Sequence, residues 1–204
     1  MAKKIKLNIG CAGRLLKGYI NIDQDTISSM QKRYPNLKFN KYSKIYNYNI
    51  FKLPYLNGEV DEISADGLIE HLNFKKEKKF FFEIARVLKK GGKIVMSTVD
   101  FEKTIKQWLK AKDEWKDFHR DDTEAIKNNF WFGTYTYKPS NRWGYLTATF
   151  YGSQNGKGQY HKNCYSKNKL RAICKKMGFK VLSLNNFRWK RNRDHMINLI
   201  AKKN

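Results

Sequence analysis

The chain has 204 residues, 42 of them lysine or arginine against 18 aspartate or glutamate, for a formal net charge of +24. That length suits one domain with a core deep enough for three layers, and no apolar run reaches the roughly 18 residues of a membrane span. Three cysteines (Cys11, Cys164, Cys174) are too few for a disulfide framework, and the basic start Met1 to Lys6 has no apolar stretch, so a reducing cytoplasm is expected.

In chain order, Ile5, Leu7 and Ile9 alternate with Lys6 and Asn8, predicting a short strand that runs into the small residues Gly10-Cys11-Ala12-Gly13. Tyr19 to Asp23 predicts a second strand, too close to the first for a long helix between them, so only a turn or brief helical piece fits Arg14 to Lys17. Tyr46 to Leu53, stopped by Pro54, is expected to hold a third strand and Val60 to Ala65 a fourth. Phe81, Ile84, Ala85 and Leu88 fall at helical spacing, with Gly91-Gly92 as the expected stop. Ile94 to Val99 is almost wholly apolar, as a central parallel strand buried on both faces would be. Asp100 is positioned to cap a helix with Ile105, Trp108 and Leu109 inward. Ser166 is positioned to cap another, with Leu170, Ile173, Cys174 and Met177 inward and Gly178 as its stop. Phe179 to Leu184 and His195 to Ala201 predict a final antiparallel pair.

Alternating strands and helices imply a doubly wound, mostly parallel α/β sheet. Residues 110–165 break the rhythm with aromatics and glycines (Phe130-Trp131-Phe132-Gly133, Tyr135, Tyr137, Trp143-Gly144-Tyr145, Phe150-Tyr151-Gly152) and are expected to form an insertion or cap on the acceptor side. Within such a sheet, a small-residue turn after the first strand and an acid at the end of the second place backbone against a nucleoside and a carboxylate against its ribose hydroxyls.

Four pieces in order extend that reading. They are Leu7-Asn8-Ile9-Gly10-Cys11-Ala12-Gly13; Gly18-Tyr19-Ile20-Asn21-Ile22-Asp23; Val60 to Ala65 with Leu68-Ile69-Glu70-His71-Leu72; and Glu83-Ile84-Ala85-Arg86-Val87-Leu88-Lys89-Lys90-Gly91-Gly92-Lys93. Together they resemble the class I S-adenosylmethionine-dependent methyltransferases, in particular the small branch related to the type-eleven enzymes. The resemblance implies a Rossmann-like sheet of seven strands with the last antiparallel, and S-adenosylmethionine as cofactor. It places Asn8, Gly10, Cys11, Ala12 and Gly13 under the methionyl and ribose parts and Asp23 on the ribose, with Asp25 a substitute. Asn49 and Ile50 then flank the adenine, and Asp66, which also reads as a helix cap, lies near the amino-acid portion. Three departures stand out: Ala12 for a second glycine, Lys90 for proline, and Gly67 where many relatives carry histidine.

Transfer from a sulfonium needs a base only if the acceptor must lose a proton. Tyr160 and His161, before the last helix, are the candidate catalytic residues, with an ordinary surface loop the alternative for His161; His71 reads as structural. The histidines are scattered without CxxC or HxxxH pairing, so no metal site is expected. The charge suits either an anionic, including nucleic-acid, partner or simple compositional drift. The leading expectation is methyl transfer to oxygen or nitrogen of a small-molecule or saccharide-like acceptor. The alternatives are a nucleic-acid methyltransferase and a non-catalytic basic binding module. No Asp/Asn-Pro-Pro-aromatic segment or Pro-Cys nucleophile supports a DNA enzyme.

Overall fold

The computed structural model describes residues 4–33, 36, 38–41, 43–112, 126–127, 129, 142–154, 158–187 and 195–204. Among them six strands form one sheet: β1 Lys6–Ile9, β2 Ile20–Ile22, β3 Val60–Asp66, β4 Leu88–Val99, β5 Phe179–Phe187 and β6 Met196–Lys203, in the order β2-β1-β3-β4-β6-β5. The first four run parallel and β6 lies antiparallel between β4 and β5. The helices are α1 Ile27–Arg33, α2 Phe74–Val87, α3 Phe101–Lys110, α4 Thr147–Tyr151 and α5 Lys167–Lys176. Strand residues Leu7, Ile9, Ile63 and Ile94 share the core with Phe80, Phe81 and Ile84 of α2 and Leu170 and Cys174 of α5.

The chain leaves β1 to one side for β2 and crosses to the other for β3. The carboxyl ends of β1 and β3 therefore flank the point where strand order reverses, where open α/β sheets bind ligands.

Four sequence expectations need correction. The third strand is reduced to one bridge: Tyr46 donates to the Asn21 carbonyl at 2.8 Å and accepts from the Asp23 amide at 3.1 Å, and pairing goes no further. Asn47 instead turns its side chain to the Gln24 carbonyl, and Asn49 bonds the Phe51 amide, so side chains compete with the ladder. The sheet thus has six strands, not seven, among the described residues.

Helix α2 ends at Val87, before the glycines; Lys203 Nζ holds the carbonyls of Ala85 and Leu88 at 2.6 and 2.7 Å. Gly91 and Gly92 lie inside β4, at a bulge where Val60 pairs with Leu88 but Glu62 with Lys93. Gly91 has φ +77°, and a Cβ on Gly92 would stand 2.7 Å from Leu88 Cδ2.

On α3, Asp100 caps the Lys103 amide as expected, but Thr104 is the buried residue and Ile105 and Leu109 are 37% and 66% exposed. The inward row is Phe101, Thr104 and Trp108; Phe101 packs on Phe150 and Trp108 on Trp143 and Arg142. Ser166 caps α5 through the Lys169 amide, as expected. Residues 130–141 of the aromatic stretch, including Phe130 to Gly133, Tyr135 and Tyr137, lie outside the described residues. So does the basic run from Arg188 to Arg193.

A clamp absent from the sequence reading fixes the loop after the β2 edge. The half-exposed Arg86 meets buried Glu83 through two bonds (Nε to Oε2, 2.9 Å; Nη2 to Oε1, 2.6 Å) and also donates to the carbonyls of Leu53 and Tyr55. Glu83 in turn accepts the Leu53 amide at 2.5 Å. Hydrogen bonding from Arg86 holds the Glu83 carboxyl below its ordinary 4.5, so the stability it contributes is complete above that value and is lost as pH falls through the folded value. Arg86→Met strands a buried carboxylate and should lower unfolding stability by about 2–3 kcal/mol, less than a fully buried pair because Arg86 is partly solvated. Thermal melts followed downward from neutral pH should show a shallower acid slope in the variant than in the parent.

Candidate active site

The turn after β1 is built by backbone contacts that small residues permit. The amides of Gly10 and Cys11 both donate to the Ile22 carbonyl, at 2.9 and 3.1 Å, folding the turn over the end of β2. Gly10 has φ +66°, and a Cβ there would meet Leu68 Cδ1 at 2.8 Å. Buried Asn8 supports the turn from behind, donating to the Arg14 carbonyl and to Asn21 Oδ1, each at 2.8 Å. The Cys11 thiol is buried and pushed up to about 12, first by loss of solvent and then by the Asp23 charge, so it is inert as a nucleophile.

Asp23 closes the turn. Its Oδ2 accepts the Ala12 amide at 2.8 Å and its Oδ1 the Asp25 amide at 3.0 Å. Each carboxylate oxygen retains a second lone pair, so the anchored acid can still accept two hydroxyls. Gly13 completes the turn. Exposed Asn49 and partly buried Ile50 stand on the segment after the Tyr46 bridge, held by the Phe51 amide on Asn49 Oδ1 at 2.9 Å.

Across the strand-order reversal, Asp66 ends β3 and is ion-paired to Arg14 of the β1 turn. Burial raises the Asp66 carboxyl and Arg14 opposes that rise. Arg14 was missed by sequence reasoning: an arginine in a turn carries no spacing signal, and only the strand order brings it to Asp66.

The 158–165 segment then brings distant groups together. Its Lys162 and Asn163 amides donate to the Glu70 carbonyl at 2.8 and 3.1 Å, and the His161 amide donates to the Tyr151 carbonyl at 3.1 Å. Glu70, His71 and His161 each offer a ligand atom, all within 4.8 Å of one another. His71 Nδ1 donates to the Tyr160 carbonyl at 3.0 Å and His161 Nδ1 to the Thr149 carbonyl at 2.8 Å. Both rings are therefore held in one tautomer, with the lone pair on Nε2. Burial keeps both imidazoles below their ordinary value and raises the Glu70 carboxyl. Glu70 Oε2 accepts the Thr98 hydroxyl at 2.9 Å. Tyr160 reaches this cluster by its carbonyl, while its side chain is 45% exposed.

Residues 8–96 match a family model described as a methyltransferase domain. No curated protein matches the sequence. Solved structures similar to the chain include a 1,6-didemethyltoxoflavin N1-methyltransferase of Burkholderia thailandensis with that compound and S-adenosylhomocysteine bound (10% identity, TM-score 0.57, 98% of this chain and 70% of that one). A methyltransferase of Methanosarcina mazei is 15% identical (TM-score 0.57, 100% and 94% covered). One from Clostridium acetobutylicum is 14% identical (TM-score 0.55, 99% and 85%). At these identities the structures bear on the fold, and the domain match bears on residues 8–96.

Ala12 occupies φ +42°, a conformation that costs an alanine about 1–2 kcal/mol. Glycine avoids that strain but loses about 0.5–1 kcal/mol more chain entropy. Ala12→Gly keeps the amide that bonds Asp23 and should therefore stabilise the protein by about 0.5–1 kcal/mol in urea unfolding; a loss of stability would show that the strain at Ala12 is smaller than the chain entropy glycine adds.

Residues 8–96 match a methyltransferase domain, and the sheet order and the acid-anchored turn accord with the fold of the S-adenosylmethionine-dependent methyltransferases to which the chain is similar.

Proposed function

We propose that the enzyme methylates an oxygen or nitrogen of a small-molecule or saccharide-like acceptor, with the adenosyl group held on the β1 turn. The observation that carries the cofactor half is the Asp23 carboxylate, fixed by the Ala12 and Asp25 amides at the end of β2 with lone pairs to spare for both ribose hydroxyls. Gly10, Cys11, Ala12 and Gly13 leave backbone there, and Asn8 keeps the turn in place. Asn49 and Ile50 take the adenine, one by hydrogen bonding and one by packing. Asp66 and Arg14 offer an anion and a cation to the ammonium and carboxylate of the amino-acid portion.

The cofactor supplies a methyl group on a positively charged sulfur; the carbon–sulfur bond breaks with its electron pair remaining on sulfur. The protein's share is alignment and exclusion of water. In this reading His161 and Tyr160 stand on the acceptor side. The lone pair on His161 Nε2 can take a proton from the acceptor or a bond to a cation. A structure of similar fold, the Burkholderia 1,6-didemethyltoxoflavin N1-methyltransferase, supports a small-molecule acceptor. Three unpaired cysteines suit a reducing cytoplasm. The exposed lysines 75, 76, 78 and 79 give α2 a basic face for an anionic partner or acceptor.

Asp23→Asn halves the accepting capacity and sets an amide NH2 against one of the two backbone N–H donors, so it should weaken S-adenosylhomocysteine binding by about 1–3 kcal/mol and also lower the melting temperature. Unchanged affinity would show that another group holds the ribose. A screen with labelled methyl donor should label small hydroxylated or amine acceptors; label appearing only in RNA or DNA would replace the acceptor half of this reading.

A further inference from the structure

Ninety residues separate His71 from His161, so their meeting beside Glu70 is a product of the fold alone. The two rings stand edge to face with centroids 4.8 Å apart. Each is pinned at Nδ1 by a backbone carbonyl, leaving the lone pair on Nε2, and neither Nε2 carries a hydrogen bond among the described residues. That is the arrangement by which proteins present histidine to a metal: one ring nitrogen tied to an oxygen that sets tautomer and direction, the other left as donor.

The third group is a carboxyl only 4% exposed, oriented by the Thr98 hydroxyl. No lysine or arginine pairs with Glu70 among the described residues, and an isolated carboxylate at that depth is costly without a countercharge. Even if all three separations stood at the 4.8 Å limit, an ion at their centre would be about 2.8 Å from each. Bonds of about 2.1 Å then need some 0.7 Å of inward movement by each side chain. The cluster adjoins the carboxyl end of β3, where the proposed cofactor site lies: a Cβ on Gly67, the residue after β3, would stand 3.7 Å from Glu70 Oε1.

We propose that Glu70, His71 and His161 bind a divalent first-row transition ion of the zinc, cobalt or iron class, with positions left open toward the crevice. Two imidazoles and one carboxylate are a borderline donor set that suits these ions better than magnesium or calcium, which favour all-oxygen shells. Three protein ligands leave room for an oxygen or nitrogen of the acceptor, which the ion would hold beside the methyl donor and polarise. The role at the acceptor rests on the methyltransferase reading; the site itself does not.

Cobalt(II) added to chelator-treated protein tests the site without any turnover. One equivalent should bind at micromolar concentration and give the visible absorption of a nitrogen- and oxygen-ligated ion. His71→Ala and Glu70→Gln should each weaken that binding at least tenfold. Zinc should displace the cobalt, raise the melting temperature, and protect His71 and His161 of the unaltered protein from diethylpyrocarbonate. That last readout holds even if a variant does not fold. Absence of saturable cobalt binding, or protection of other histidines instead, would overturn the proposal. S-adenosylhomocysteine binding in the same sample separates that failure from failure of the cofactor reading.

Discussion

The hydrogen bond from the Ala12 amide to Asp23 Oδ2 is the constraint on which the rest of the site depends. It joins the turn leaving β1 to the acid ending β2, and it fixes both the path of the backbone and the direction of the carboxylate. The turn can follow that path because Gly10 and Ala12 occupy left-handed conformations and no side chain at position 10 intrudes on Leu68. Neighbouring contacts serve the same end: Asn8 holds the base of the turn, and the Gly10 and Cys11 amides fasten it to Ile22.

Around that bond the sheet order does the positioning. Reversal between β1 and β3 brings the Arg14–Asp66 pair, which joins the β1 turn to the end of β3, to the same edge of the sheet as Asp23. The Glu83–Arg86 clamp sits farther out, holding the 53–57 loop to α2 and, through it, the segment that carries Asn49 and Ile50. The 158–165 segment is stitched by backbone bonds to both Glu70 and Tyr151. Histidines from two remote parts of the chain meet there because those bonds leave the segment little freedom.

Much of the fold was legible because its signals are local. The alternation at Ile5 to Ile9, the apolar run Ile94 to Val99 and the caps at Asp100 and Ser166 need only neighbouring residues to act, and each element forms where it was expected. The misjudged elements depend on competition or on distant partners. Tyr46 to Leu53 has apolar residues at strand spacing, yet Asn47 and Asn49 spend their side chains on nearby backbone and end the pairing. Ile105 and Leu109 have the right period for a buried stripe, but the surface that α3 meets, from Arg142 to Phe150, lies on the face of Phe101, Thr104 and Trp108. Gly91-Gly92 looked like a helix stop because the sequence does not show that Lys203 closes α2 one turn earlier. The acid Asp23 stood out by its spacing from Gly10, whereas Arg14, Arg86 and the meeting of His71 with His161 carry no linear signal.

Calorimetric titration of the unaltered protein with S-adenosylhomocysteine tests the central claim most directly. An anchored carboxylate above a backbone-floored turn predicts saturable binding of one molecule per chain. No heat at millimolar ligand, from protein shown to be folded by its melting transition, would contradict the account at its base.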